Sequence, residues 1–95
     1  MKTLENLFRL QGKTAVVIGG AGYLCSALSE AFLDYGLKVA ILDLAERFQP
    51  KSSLPEDRAM ALPCDVTSKQ ELLRCRQRIL ERFSRVDLLL NGAGA

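Results

Sequence analysis

The strongest constraint in this sequence is a cluster of small residues, Gly19-Gly20-Ala21-Gly22, set between two segments of different periodicity. Before it, Thr14–Ile18 is an apolar, β-branched run with no polar alternation, the pattern of a strand covered on both faces. After it, Leu24, Leu28, Ala31, Phe32 and Tyr35 recur at helical spacing, with Ser29, Glu30 and Asp34 on the other side and Gly36 as a stop. A buried strand that passes through glycines into an amphipathic helix is the start of a parallel βαβ unit.

The alternation continues to the end of the chain. Residues 37–42 form a second apolar run that closes at Asp43, and residues 59–63 form a weaker third. Between them, residues 47–58 hold Pro50, Ser52, Ser53 and Pro55, which predicts a loop with at most one short helical turn. Ser68-x-x-Glu71 has capping-box spacing and opens a second helix, whose expected buried stripe is Leu72, Cys75, Ile79, Phe83 and Val86. Residues 86–90 give a fourth strand before Asn91-Gly92-Ala93-Gly94-Ala95. Right-handed crossovers order these strands 3-2-1-4, the first half of a doubly wound, Rossmann-type α/β sheet. The expectation is one partial domain over residues 1–95, truncated after strand four, with the second half of such a fold absent. Strand four, carrying Leu88, Leu89 and Leu90, then has an unpaired edge open to pairing with another chain, a route to a homo-oligomer.

Composition narrows the function classes. With 48% hydrophobic and 25% charged residues the chain is neither disordered nor fibrous. Cys25, Cys64 and Cys75 are odd in number, form no C-x-x-C pair and come with no histidine, which argues against a disulfide framework or a zinc site. Reduced thiols point to a cytoplasmic protein. Lys2, Glu5 and Arg9 interrupt the N-terminal leucines, so no secretory leader is expected, and no apolar run reaches membrane-spanning length. From residue 51 onward eight basic residues face six acidic ones. Five of the basic ones, Arg74, Arg76, Arg78, Arg82 and Arg85, fall in or just after the second helix. Glu71, Glu81 and Asp87 dilute that stripe, which favours a solvated helix face over a nucleic-acid surface.

The glycine turn itself carries chemistry. Small residues let a backbone approach a pyrophosphate, while the following helix offers its first N–H groups and the positive end of its dipole. Asp43 ends the second strand a little over twenty residues beyond Gly19, where a carboxylate can accept hydrogen bonds from an adenosine ribose. A ribose 2′-phosphate would meet like charge there, at about 1 kcal/mol per charge pair at 4 Å in water and about 4 at an effective dielectric of 20. Leu44 and Ala45 supply no offsetting base, although Arg47 is within reach, so the expected cofactor is NAD ahead of NADP.

With these residues in place the chain resembles the short-chain dehydrogenase/reductase family, from about Phe8 to Ala95. Phe8-x-Leu10-x-Gly12-Lys13-x-Ala15-Val16-Val17 is similar to the family's lead into its first strand. The resemblance implies cofactor contacts from Gly19, Gly22, Tyr23 and Leu24 in the phosphate turn, from Asp43 and Leu44 at the ribose, and from Asp65 and Val66 at the adenine. It implies further contacts from Asn91 and Ala93 in Asn91-Gly92-Ala93-Gly94, which is similar to the family's Asn-Asn-Ala-Gly. Ile41-Leu42-Asp43-Leu44 with that last motif most resembles the sugar-acid oxidoreductases of the mannonate/fructuronate type.

Three positions depart from the family pattern. Ile18 replaces a threonine, Cys25 replaces the last glycine of the turn, and Gly92 replaces the second asparagine. Cys25 is expected to overpack a tight helix-to-strand contact, at about 1–3 kcal/mol, and so to weaken nucleotide binding. Gly92 is expected to loosen strand four. Cys25 at the first turn of a helix could be a reactive thiol, but an inert packed cysteine is the simpler expectation.

The catalytic serine, Tyr-x-x-x-Lys pair and further asparagine that the family implies have no match here. Tyr23 is followed four residues later by Ala27, and Tyr35 by Val39. The expectation is thus an NAD-dependent oxidoreductase represented by its cofactor half and inactive alone, with an alcohol or sugar-acid substrate only in a longer parent. The alternative is a non-catalytic nucleotide-binding or dimerising module.

Overall fold

The computed structural model describes residues 11–19, 22–48, 55 and 57–92, with Tyr23 by its backbone only. The four apolar runs become strands β1 (Thr14–Ile18), β2 (Lys38–Asp43), β3 (Ala59–Pro63) and β4 (Leu88–Asn91). They form one parallel sheet in the order β3-β2-β1-β4, as the crossover rule predicts. Two helices connect them, α1 (Tyr23–Asp34) after β1 and α2 (Lys69–Phe83) after β3.

Each helix covers one face of the sheet. Alternate residues of the strands point to opposite faces, so Val17, Val39, Ile41 and Ala59 pack with Cys25 and Leu33 of α1. Val16, Ala40, Leu42 and Leu62 pack with Cys75, Ile79 and Phe83 of α2. This two-sided cover explains why β1 and β2 carry apolar residues without alternation.

The buried face of α1 differs from the expected one by a rotation of about one residue. Leu24 is 70% exposed and Tyr35 is also exposed, whereas Cys25, Ser29 and Leu33 face the sheet. Ser29 is only 1% exposed because its hydroxyl donates to the Cys25 carbonyl at 2.8 Å, which satisfies the polar group inside the helix itself. The helix closes in a Schellman motif. Gly36, at φ +88°, donates to the Leu33 carbonyl at 3.0 Å, and Leu37 donates to the Phe32 carbonyl at 3.0 Å. Because Leu37 is used in that closure, β2 starts at Lys38 rather than at residue 37.

The second helix keeps its predicted stripe up to Phe83, but Val86 lies outside it. Ser84 adopts φ +72° and its N–H caps the Leu80 carbonyl at 2.9 Å, which ends α2 and leaves Val86 exposed in the link. Pairing resumes at Asp87. Its N–H donates to the Thr14 carbonyl at 2.9 Å, and its carboxylate accepts from the Thr14 N–H at 2.9 Å, so β4 runs from Leu88 instead of residue 86. β4 lies at the margin of the sheet with Leu89 66% exposed. A 3₁₀ turn forms at Ala45–Arg47, where the segment read as a loop with at most one short helical turn begins; residues 49–54 and 56 of that segment lie outside the described residues.

Candidate functional site

The carboxyl ends of the four strands lie in line. Ile18 is level with Leu42 on β2 and with Asn91 on β4, and Asp43 is level with Pro63 on β3. Backbone hydrogen bonds extend this alignment beyond the strands: Gly19 N–H to the Leu42 carbonyl at 2.7 Å, Cys64 N–H to the Asp43 carbonyl at 2.7 Å, and Gly92 N–H to the Ile18 carbonyl at 2.8 Å. One edge of the sheet therefore presents, side by side, Asp65 and Val66, then Asp43 and Leu44, then Gly19, then Asn91. Neighbouring strands are about 4.8 Å apart, so these residues span the reach of one extended ligand.

Gly19 leaves β1 at φ +77°, a conformation that favours glycine, and this turns the chain into α1. The Gly22 N–H returns to the Gly19 carbonyl at 3.2 Å. Gly22 is the N-cap of α1 and has no side chain to cap the helix, and the first turn carries no acidic residue. Among the described residues, then, no side chain caps the positive end of the helix. Leu24 stands exposed beside this opening. Gly20, Ala21, Ala93 and Gly94 lie outside the described residues, as do Phe8 and Leu10 of the lead-in.

Asp43 sits one strand away from Gly19 and is 6% exposed. Its Oδ1 accepts from the Leu44 N–H at 2.8 Å and lies 3.8 Å from the Arg47 guanidinium Nε. Arg47, expected to be within reach of this position, is brought beside the carboxylate by the 3₁₀ turn. Its own side chain stays largely in solvent, so the pair adds little stability.

Asp65 is held in a turn that the Asp-x-Thr spacing could have revealed. Its Oδ1 accepts from both the Thr67 hydroxyl at 2.6 Å and the Thr67 N–H at 2.9 Å, and these bonds hold its carboxyl below the usual carboxylate range. The capping box is realised by half. The Ser68 hydroxyl accepts from the Glu71 N–H at 3.3 Å, but the Glu71 carboxylate reaches the Asp65 N–H at 3.3 Å, while the Ser68 N–H bonds the Asp65 carbonyl at 2.9 Å. Glu71 therefore ties α2 to the Asp65 loop, a role that the capping pattern did not reveal. Beneath this loop, burial and the neighbouring Cys75 thiol push the Cys64 thiol up to about 11, so it stays protonated at neutral pH.

Cys25 and Gly92, two of the departures, turn out to be neighbours. Cys25 is 8% exposed in the core under α1, and a β-carbon on Gly92 would collide with its Sγ. The thiol occupies space that Gly92 leaves open. The Gly92 N–H is bonded to the Ile18 carbonyl at 2.8 Å, which carries the pairing of β4 with β1 one residue past the strand.

The arginines of α2 are exposed. Arg74 lies 3.6 Å from Glu71, Arg85 pairs with Asp87, and Arg82 lies over the Phe83 ring at 5.5 Å. Among the described residues no helix is long and apolar enough to cross a membrane.

Residues 13–95 match the family model described as short chain dehydrogenase. Among curated proteins, the chain is 44% identical over 89 residues to the uncharacterized oxidoreductase UxuB of Bacillus subtilis, covering 90% of this chain and 32% of that protein. It is 35% identical over 91 residues to human 15-hydroxyprostaglandin dehydrogenase [NAD(+)], covering 90% of this chain and 34% of the relative. The chain thus spans about a third of the length of these relatives. Among solved structures, the apo form of glucose dehydrogenase from Caenorhabditis elegans superposes with a TM-score of 0.79 at 26% identity, covering 90% of this chain and 39% of that one.

Proposed function

Because the chain belongs to the short chain dehydrogenase family, we propose that its strand-end edge binds the adenosine and pyrophosphate half of NAD for an oxidoreductase. The observation that carries this reading is the adjacency of Asp43 to the Gly19 turn, fixed by the bond from Gly19 N–H to the Leu42 carbonyl. A pyrophosphate resting on Gly19, Gly22 and the N–H groups of Tyr23 and Leu24 gains from the helix dipole, at about 0.3–1 kcal/mol and up to about 2 when partly buried. Asp43 and Leu44 flank the adenosine ribose, Asp65 and Val66 the adenine, and Asn91 and Ala93 the far side of the cofactor. When bound, the nicotinamide supplies hydride exchange with an alcohol or carbonyl.

The 95 residues bind and orient; they contain no Tyr-x-x-x-Lys pair, and the chain alone does not catalyse. In a longer protein the substrate is an alcohol or sugar acid, in keeping with the resemblance to the mannonate/fructuronate type. NAD is preferred over NADP because a 2′-phosphate at Asp43 meets a nearly buried carboxylate whose Arg47 neighbour is already engaged. Calorimetric titration of the purified chain tests the reading. The expected outcome is one NAD site, with NADP at least about tenfold weaker, the equivalent of 1.4 kcal/mol. No heat with NAD, or tighter binding of NADP, overturns it.

The exposed Leu89 on β4, which ends the sheet among the described residues, favours a second reading, a non-catalytic module that pairs with another copy through that strand.

A further inference from the structure

Two departures from the family pattern meet in space, and the contact explains both. Cys25 lies on the first turn of α1, and Gly92 follows β4; 67 positions apart in sequence, they are packed against each other at the carboxyl edge of β1. A β-carbon built on Gly92 collides with the Cys25 Sγ on one side and lies 3.3 Å from the Ile18 carbonyl oxygen on the other. That carbonyl cannot give way, because it belongs to β1 and already accepts the Gly92 N–H at 2.8 Å. The thiol has little room either. Cys25 is packed in the cluster of Val17, Leu33, Val39 and Ile41, and one of its three χ1 positions is closed to it inside a helix. Gly92 has no positive φ, so the requirement for glycine there is one of space and not of backbone conformation.

We infer that Cys25 and Gly92 are a matched pair of positioning residues, which together set the gap between the phosphate turn and the Asn91 loop on which the cofactor lies. The volume that the family places on the strand-four side, as asparagine, is supplied here from the helix side, as a thiol. This inference rests on the cofactor-binding reading for its functional consequence, but not for the contact itself. Neither exchange is tolerated alone: asparagine at 92 drives α1 away from β1, and glycine at 25 leaves a void under the loop. Both exchanged together recreate the family arrangement.

The test compares the chain with Gly92→Asn, Gly92→Ala, Cys25→Gly and the double variant Cys25→Gly/Gly92→Asn, reading the thermal midpoint and the affinities for NAD and for AMP. Gly92→Asn and Gly92→Ala are expected to lower the midpoint and to weaken NAD at least tenfold, while AMP, which carries the adenosine and one phosphate but not the half of the cofactor that lies against the Asn91 loop, changes less than threefold. In the double variant both the midpoint and the NAD affinity return to near those of the parent chain. Should Gly92→Asn unfold the chain, the smaller Gly92→Ala, alone and combined with Cys25→Gly, gives the same comparison. Additive losses in the double variants, or a harmless Gly92→Asn, overturn the pairing. An equal loss of AMP and NAD binding overturns the positioning role. If the parent chain binds no NAD at all, the cofactor reading fails while the thermal midpoints still decide whether the two residues are coupled.

Discussion

Asp43 illustrates how much one residue must reconcile. It is a carboxylate at 6% exposure, tolerated because Leu44 N–H and Arg47 stand against its Oδ1, and in the proposed reading it also holds the sugar of the dinucleotide. Hydrogen bonds to charged groups contribute about 1.5–3 kcal/mol, so Asp43→Asn is expected to weaken NAD by about 10- to 150-fold and to narrow the gap between NAD and NADP, as read by calorimetry. Asp43 was legible in the sequence because its distance from Gly19 is set by one helix and one strand. Ser29 was not, since its burial depends on a hydroxyl that bonds its own helix, and α1 carries apolar residues at enough positions that a rotation by one residue still buries several. The Thr67 bonds to Asp65 follow from the Asp-x-Thr turn signature, but in sequence that signature runs straight into the Ser68-x-x-Glu71 cap, so the helix start masks the turn before it.

At the scale of elements, the strands and helices followed from periodicity and their ends from particular side chains. The α2 stripe is the firmest case: Ile79 is buried among strand residues of the sheet, and Ile79→Ala should cost about 2–5 kcal/mol by chemical denaturation. The boundary of β4 was misplaced because Val86 is apolar and strand-like, whereas the structure starts pairing at the hydrogen bonds of Asp87. That aspartate also gives the sheet a pH dependence. The Thr14 N–H, and after it Arg85, hold its carboxyl below the usual carboxylate range. A group with a depressed folded pKa contributes its stability above its unfolded value and loses it as pH falls, here from about pH 5 downward through the folded value. Asp87→Asn should lower the thermal midpoint at neutral pH, and the difference from the parent chain should shrink as the pH is lowered toward 3.

For the molecule as a whole, the order β3-β2-β1-β4 and the line of strand ends are what the alternating pattern foretold, and they place the glycine turn, two aspartates and Asn91 along one edge. The Cys25 and Gly92 contact was not legible, because two departures far apart in sequence become one feature only when β4 pairs with β1. A chain that orients a cofactor without a proton-transfer pair should give no steady NADH signal above background with a panel of sugar acids and alcohols, followed by absorbance. The most direct measurement of the cofactor site is a ¹⁵N-resolved NMR titration of the chain with NAD. The backbone amides of Gly19, Gly22, Leu24, Leu44, Val66 and Gly92 should shift together along one saturation curve, while those of Arg76 and Leu80 on the outer face of α2 stay in place. Shifts centred on α2, or no shifts at the strand ends at saturating NAD, would contradict a dinucleotide lying across the carboxyl edge of this sheet.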